Sequence, residues 1–212
     1  MVRGVFITIE GCEGTGKSTQ AALLAEALRE AGLSVTEVRE PGGTLVSEAV
    51  RDLLLDRAHD GLDPRAEILL YEASRAELVS RVIRPALAAG GAVVCDRFFD
   101  STTAYQGYGR GLPLDQVVRL NQFATSGIVP DITIVLDLDP AEGLARATGG
   151  GADRLEAEEL GFHERVRHGF LEIAAGEPER VVVVSATGTP AEVSQRVLEA
   201  VGRLPVLATV IH

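Results

Sequence analysis

The chain has 212 residues, 46% hydrophobic and 24% charged, which is enough for one well-buried domain and too apolar for whole-chain disorder. A net charge of −11 lacks the positive field that a non-specific nucleic-acid binder needs, so no nucleic-acid partner is expected and any anionic ligand must be held by local arginines. Two cysteines (Cys12, Cys95) and four histidines (His59, His163, His168, His212) form no disulfide or metal-ligand pattern; no apolar run nears the roughly 20 residues of a membrane span, and residue 1 leads into a strand rather than a signal peptide, so the chain reads as cytoplasmic.

Strands alternate with helical patterns along the chain, the signature of an α/β fold. Residues 5–9 read as a first strand and 18–31 as a helix, with Gly32 just past its end. A second strand over 34–38 runs into the turn 39–43, followed by a helix over roughly 45–57. The segment 65–88 reads as one long helix ending near Pro85 and Gly90-Gly91. Short apolar strands follow at 92–95, 132–138 and 181–184. Their near-continuous apolar character predicts a five-stranded parallel sheet covered by helices on both faces. Gly149-Gly150-Gly151 marks a mobile lid over about 146–155, within a single domain spanning 1–212.

Between the first strand and the first helix lies Gly11-Cys12-Glu13-Gly14-Thr15-Gly16-Lys17-Ser18, followed by Thr19, which fits the phosphate-binding pattern G-x-x-x-x-G-K-[ST]. Its glycines let consecutive backbone N–H groups turn inward, and the helix N-terminus adds a favourable dipole. Lys17 is then expected on the β- and γ-phosphates of a nucleotide and the Ser18 hydroxyl on Mg²⁺. All but one of the 20 basic residues are arginine, and the exception is Lys17. The Asn-Lys-x-Asp guanine reader of the common switch GTPases is therefore absent, since it needs a second lysine. After the third strand comes Asp96-Arg97-Phe98-Phe99-Asp100-Ser101-Thr102-Thr103-Ala104-Tyr105-Gln106, whose acid stands at the carboxyl edge of the sheet. Asp96 is expected to face the Mg²⁺ shell and Arg97 the transferring phosphates.

The chain resembles the thymidylate kinases in EGCEGTGKST (10–19), REPGG (39–43), LLYEASRAE (69–77), DRFFDSTTAYQG (96–107), PDITIVLDLDP (130–140) and GGGADRLE (149–156). The resemblance implies a P-loop NTPase fold and a homodimer that uses ATP and Mg²⁺ to convert dTMP to dTDP. It also implies that Tyr71 stacks on thymine, Arg75 bonds a base carbonyl, and Thr102 reads the base edge. Tyr105 would pack under the ribose, Glu13 would lie near the 3′-hydroxyl, and Arg51 and Arg97 would hold the acceptor phosphate. The spacing of Tyr71 and Arg75 agrees with this, because residues four apart share one helix face.

One departure stands out. Members of the family carry a catalytic arginine either in the P-loop or in the lid, and here the P-loop has Gly14 at that place. The lid has Arg146 and Arg154 as candidates, with Arg154 expected to act on the transferring phosphoryl and Arg146 to lie over the adenine or at the surface. Another nucleoside monophosphate kinase, or a non-catalytic nucleotide-binding switch, remains the alternative reading.

Overall fold

The computed structural model describes residues 4–147, 154–204 and 207. In chain order the elements are β1 (Val5–Gly11), α1 (Lys17–Glu30), β2 (Val35–Arg39), α2 (Leu45–Leu55), α3 (Pro64–Leu78), α4 (Arg84–Ala88), β3 (Ala92–Asp96), α5 (Phe99–Thr102), α6 (Leu114–Thr125), β4 (Ile132–Asp137), α7 (Pro140–Ala147), α8 (Leu160–Gly176), β5 (Val181–Ser185) and α9 (Pro190–Val201). The expected strands are all present, with bounds moved by a residue or two.

The five strands are parallel, in the order β2-β3-β1-β4-β5. β1 is central, and the chain leaves it toward β3 on one side and β4 on the other. That reversal opens a crevice at the carboxyl ends of the strands, where ligands of such sheets bind. β1 is buried along its whole length, and its period-two alternation serves both sides. Val5, Ile7 and Ile9 pack with α1 and α9, whereas Phe6 packs with α3, the turn after it and β3. The edge strand β2 departs from the continuously apolar expectation: Thr36 and Glu37 lie among half-exposed neighbours, because an edge strand here is covered less fully.

The single helix expected over 65–88 is interrupted. A π-helical turn, Val79–Ile83, separates α3 from α4, and Pro85 sits in the first turn of α4. Proline has no N–H and its ring crowds the carbonyl four residues back, so the wider turn relieves the helix at that point. A second π-helical stretch, Thr103–Gly109, continues α5 through the conspicuous 96–107 patch.

The triglycine 149–151, most of the expected lid, lies outside the described residues. So does most of the apolar tail, although Leu204 and Leu207 pack into the core between α1 and α9. No helix among the described residues is long and apolar enough to cross a membrane.

Candidate active site

The phosphate cradle follows directly from β1. Gly14 and Gly16 have φ of 67° and 86°, a region that side chains rarely adopt, and Gly16 stands immediately before α1. Gly14 is constrained a second time, since a Cβ there would collide with the Gly143 carbonyl on α7. This accounts for the missing P-loop arginine: no side chain fits at position 14 unless α7 moves. Lys17 Nζ donates to the Cys12 carbonyl at 2.7 Å, and Thr15 Oγ1 donates to the same oxygen at 2.9 Å. Burial, followed by the Arg97 charge, pulls the Lys17 pKa below its ordinary value, against the pull of Glu13 and Asp96. The Ser18 hydroxyl donates to Asp96 Oδ2 at 2.5 Å, so α1 and β3 place the two expected metal-facing oxygens together.

Arg97, next to Asp96, has φ of 68°. An arginine rarely takes this conformation, and strain of this kind persists only where the surroundings enforce it. The enforcing group is Glu10, which was not anticipated from the sequence. Glu10 Oε1 accepts from the Phe98 N–H at 2.7 Å and the Ser101 N–H at 3.3 Å, and Oε2 accepts from the Ser101 hydroxyl at 2.5 Å. The Arg97 guanidinium then meets Glu13 through both carboxylate oxygens, at 2.8 and 2.9 Å, and lies 5.0 Å over the Tyr105 ring. Tyr105 donates its hydroxyl to Glu13 Oε1 at 2.7 Å. Burial alone would raise the Glu13 pKa, but Arg97 and Lys17 outweigh it and hold the carboxyl down to about 2. Glu13 is thus an anion at neutral pH and accepts hydrogen bonds only.

Opposite lies a second polar cluster. Arg75 is 1% exposed; its Nε donates to Glu40 at 2.8 Å, its Nη1 to Glu72 at 2.8 Å and to Asn121 at 3.3 Å, and its Nη2 to Thr102 Oγ1 at 3.0 Å. Because the Thr102 oxygen accepts from Arg75, its own proton is left for another acceptor. Arg51 Nη1 is turned onto the Pro41 carbonyl at 3.0 Å.

One cavity of about 390 Å³ joins these groups, lined by the cradle, Asp96 and Arg97 at one end and by Tyr71, Arg75 and Thr102 at the other, with Arg51 and Tyr105 on its walls. The lid candidates are placed differently from the expectation. Arg154 is 4% exposed and not among the lining residues; it pairs with Glu67 at 2.6 Å, and its Nε donates to the Leu54 carbonyl at 2.8 Å. A buried carboxylate and the Leu54 carbonyl at the end of α2 hold its Nη1 and Nε, while Nη2 is buried without a partner, and the guanidinium does not reach the cradle here. Arg146, at the end of α7, pairs with Glu142 at 2.6 Å, donates to the Ala186 carbonyl at 3.3 Å and does not line the cavity.

A profile of the family described as Thymidylate kinase matches residues 9–197. The chain belongs to the thymidylate kinase family. A relative named Thymidylate kinase from Synechococcus sp. (strain JA-2-3B'a(2-13)) is 57% identical over 97% of this chain and 98% of its own. Another from Deinococcus radiodurans is 50% identical over 95% and 98%. The crystal structure of thymidylate kinase from Ehrlichia chaffeensis superposes with a TM-score of 0.78 at 37% identity, covering 94% of this chain and 99% of that one. Family members are phosphotransferases on a P-loop fold, in agreement with the parallel sheet and cradle seen here.

Glu10 was legible in one respect, as the lone charge in an otherwise apolar strand just before the cradle. Burial, with Asp100 adding to it, pushes its pKa from 4.5 to about 8, against the Ser101 and Phe98 donors and Arg97. The folded state therefore holds this proton more tightly than the unfolded one. The contribution to stability is complete below about pH 4.5 and is lost as pH rises through about 8. Glu10→Gln keeps an acceptor for the two N–H groups and cannot ionise. It should flatten the fall in Tm between about pH 5 and pH 8. Thermal denaturation in matched buffers checks this; an unchanged slope would assign the pH dependence to other groups.

Proposed function

We propose that the chain, acting as one domain, transfers the γ-phosphoryl group of ATP to dTMP, giving dTDP and ADP. The observation that carries the reading is the single cavity with a phosphate cradle at one end and the Tyr71, Arg75 and Thr102 cluster at the other. A flat ring beside a fork of donors and a hydroxyl suits a pyrimidine with two carbonyls. Family membership supports the same acceptor. A coupled ADP-release assay with dTMP, dUMP, UMP, CMP, AMP and GMP tests it. The highest kcat/KM is expected for dTMP, and a purine preference would overturn the reading.

Ser18 and Asp96 fit Mg²⁺, a hard cation that keeps most of its shell as water and phosphate and takes few protein oxygens. When bound, the ion neutralises charge on the donor phosphates. The acceptor phosphate has a second pKa of about 6, so at neutral pH it is already largely a dianion and needs no general base. What the chain supplies is position and counter-charge for an in-line transfer. Lys17 and the cradle N–H groups hold the donor. Arg97 and Arg51 turn to the acceptor phosphate, and Glu13 accepts from the sugar hydroxyl. The two Arg97 bonds to Glu13 aim the guanidinium while its longer contacts, to Gly11 at 3.2 Å and Tyr105 at 3.3 Å, yield to a phosphate.

Sugar discrimination falls to Tyr105, which Arg97 and Glu13 lock in place. Tyr105→Ala should raise KM for dTMP by lost packing and narrow the preference for dTMP over its ribo analogue about tenfold. The ratio of kcat/KM for the two substrates measures this, and an unchanged ratio moves discrimination to another residue.

The chain also forms a homodimer in this reading. α2, α3 and α6 pack side by side and expose large apolar residues, among them Leu45 (91%), Phe123 (84%) and Leu69 (55%). Such a face marks an association surface. Phe123→Glu should halve the mass found by light scattering; a monomeric unmodified protein would end the proposal.

A further inference from the structure

Arg75, at the base end of the cavity, has two acids beside it where one would balance its charge. Its Nε and Nη2 lie 2.8 and 2.7 Å from the same Glu40 oxygen, and its Nη1 donates to Glu72 at 2.8 Å. Both acids are buried, and the pairing does not use them up: among the described residues, Glu40 Oε1 and Glu72 Oε2 are buried without a hydrogen-bond partner. A buried acceptor left without a donor costs stability, so the second acid is not explained by the fold.

The other contacts of Arg75 are to neutral oxygens, Thr102 at 3.0 Å and Asn121 at 3.3 Å. A base carbonyl can take the place of either, because one neutral acceptor is exchanged for another. A phosphate enters on different terms, since its charge comes against two carboxylates in surroundings of low dielectric. The arginines proposed for the acceptor phosphate are set the other way. Arg97 is met by one carboxylate, Glu13, whereas Arg51 donates to the Pro41 carbonyl and pairs with no carboxylate among the described residues. Arg51, Arg97, Arg75 and Glu40 all line the one cavity. A nucleoside monophosphate has a charged end and a neutral end, and the two arginine groups of the cavity differ in the same sense.

We propose that Glu40 and Glu72 are specificity-determining residues that cancel the charge of Arg75, so that the base end of the cavity takes a neutral carbonyl and refuses phosphate. The monophosphate is thereby admitted in one orientation, with its phosphate at Arg97 and Arg51. The proposal rests on the dTMP kinase reading above. Its signature is a change in which ligand Arg75 takes, which loosened packing would not produce.

Thymidine and inorganic phosphate test the two ends separately. Thymidine binding is measured by calorimetry in phosphate and in sodium chloride of equal ionic strength. Burial, with Glu72 adding to it, raises the Glu40 pKa from 4.5 to about 7 against the pull of Arg75. The titrations are therefore made at about pH 8.5, where this carboxyl is ionised. In the unmodified protein phosphate should leave the thymidine Kd within about twofold of its value in chloride, because the anion sits at Arg97 and Arg51. In Glu40→Gln/Glu72→Gln the amide oxygens still accept from Arg75, but both counter-charges are gone. Phosphate should then raise the thymidine Kd at least about tenfold over chloride. Glu40→Gln alone should show a smaller rise, because Glu72 still balances the guanidinium; it carries the test where the double variant does not fold. A Kd raised equally in phosphate and chloride would overturn the proposal, since the acids would then only support the pocket. So would phosphate competing with thymidine in the unmodified protein. Failure of the unmodified protein to bind thymidine would remove the acceptor assignment and this inference together, whereas thymidine binding with no phosphate effect in either variant removes the inference alone.

Discussion

Lys17→Ala should lower kcat by at least about a thousandfold while leaving the protein folded. Among the described residues Lys17 Nζ makes one hydrogen bond, to the Cys12 carbonyl, and Thr15 Oγ1 already donates to that oxygen. Truncation therefore orphans no buried acceptor, and Tm should move by only a few degrees. What disappears is a point charge at the start of α1, in the cradle proposed to hold the donor phosphates. Lys17→Arg is the sharper variant, since it keeps the charge but spreads it over a larger planar group. Lys17 is buried among Cys12, Glu13 and Arg97, leaving little room for a guanidinium. The arginine variant should recover less than about a tenth of the activity. Coupled ADP-release kinetics with melting curves on all three proteins provide the measurement. Near-normal kcat in Lys17→Arg would refute the claim that a compact ammonium is required.

Arg97→Ala should fail in two ways at once. In the proposed reaction the acceptor phosphate loses its counter-charge, which for arginines in phosphoryl transfer amounts to about 10³-fold or more in kcat/KM. Glu13 also loses the partner that meets both its oxygens; breaking a fully buried pair from one side costs about 3–5 kcal/mol, an upper bound for a pair 18% and 13% exposed. In a chain of this length each 1 kcal/mol lost lowers Tm by about 2–4 °C, so a measurable fall is expected. The two losses separate in the double variant Arg97→Ala/Glu13→Gln. Removing the stranded carboxylate should restore much of the Tm and none of the activity. Recovery of activity together with stability would mean that Arg97 only supports the fold. Arg97→Lys should fall between the extremes, because an ammonium keeps the charge but lacks the second nitrogen, Nη1, that reaches Gly11, Ser101 and Tyr105.

Much of this site is written in local sequence. A phosphate cradle is a property of contiguous backbone: the glycines at 14 and 16 supply the positive φ, and the helix that begins at Lys17 supplies the dipole. The strands were legible because burial on both faces demands nearly unbroken apolar runs, and only the edge strand β2 strayed from that rule. The family resemblance named Tyr71 and Arg75, and helical spacing agreed by putting them on one face.

Other features depend on what packs against what, and no local pattern encodes that. Position 14 must be glycine not only for its φ but because α7 brings the Gly143 carbonyl against it, a contact across about 130 residues of chain. Glu10 carried no expectation from the sequence, and its role appears only because the fold lays residues 97–101 over its carboxylate. Arg154 reads in sequence as a lid arginine free to swing, because the triglycine before it suggests freedom. Tertiary structure brings α2 and α3 close enough to supply Leu54, Leu55 and Glu67 as partners, and a guanidinium with buried partners stays where they hold it. The sequence by itself determined which residue types stand at the carboxyl edge of the sheet, since strand, turn and helix are local. Only the tertiary structure decided which of those charges line the cavity and which face one another, because burial and pairing are set by neighbours distant in the chain.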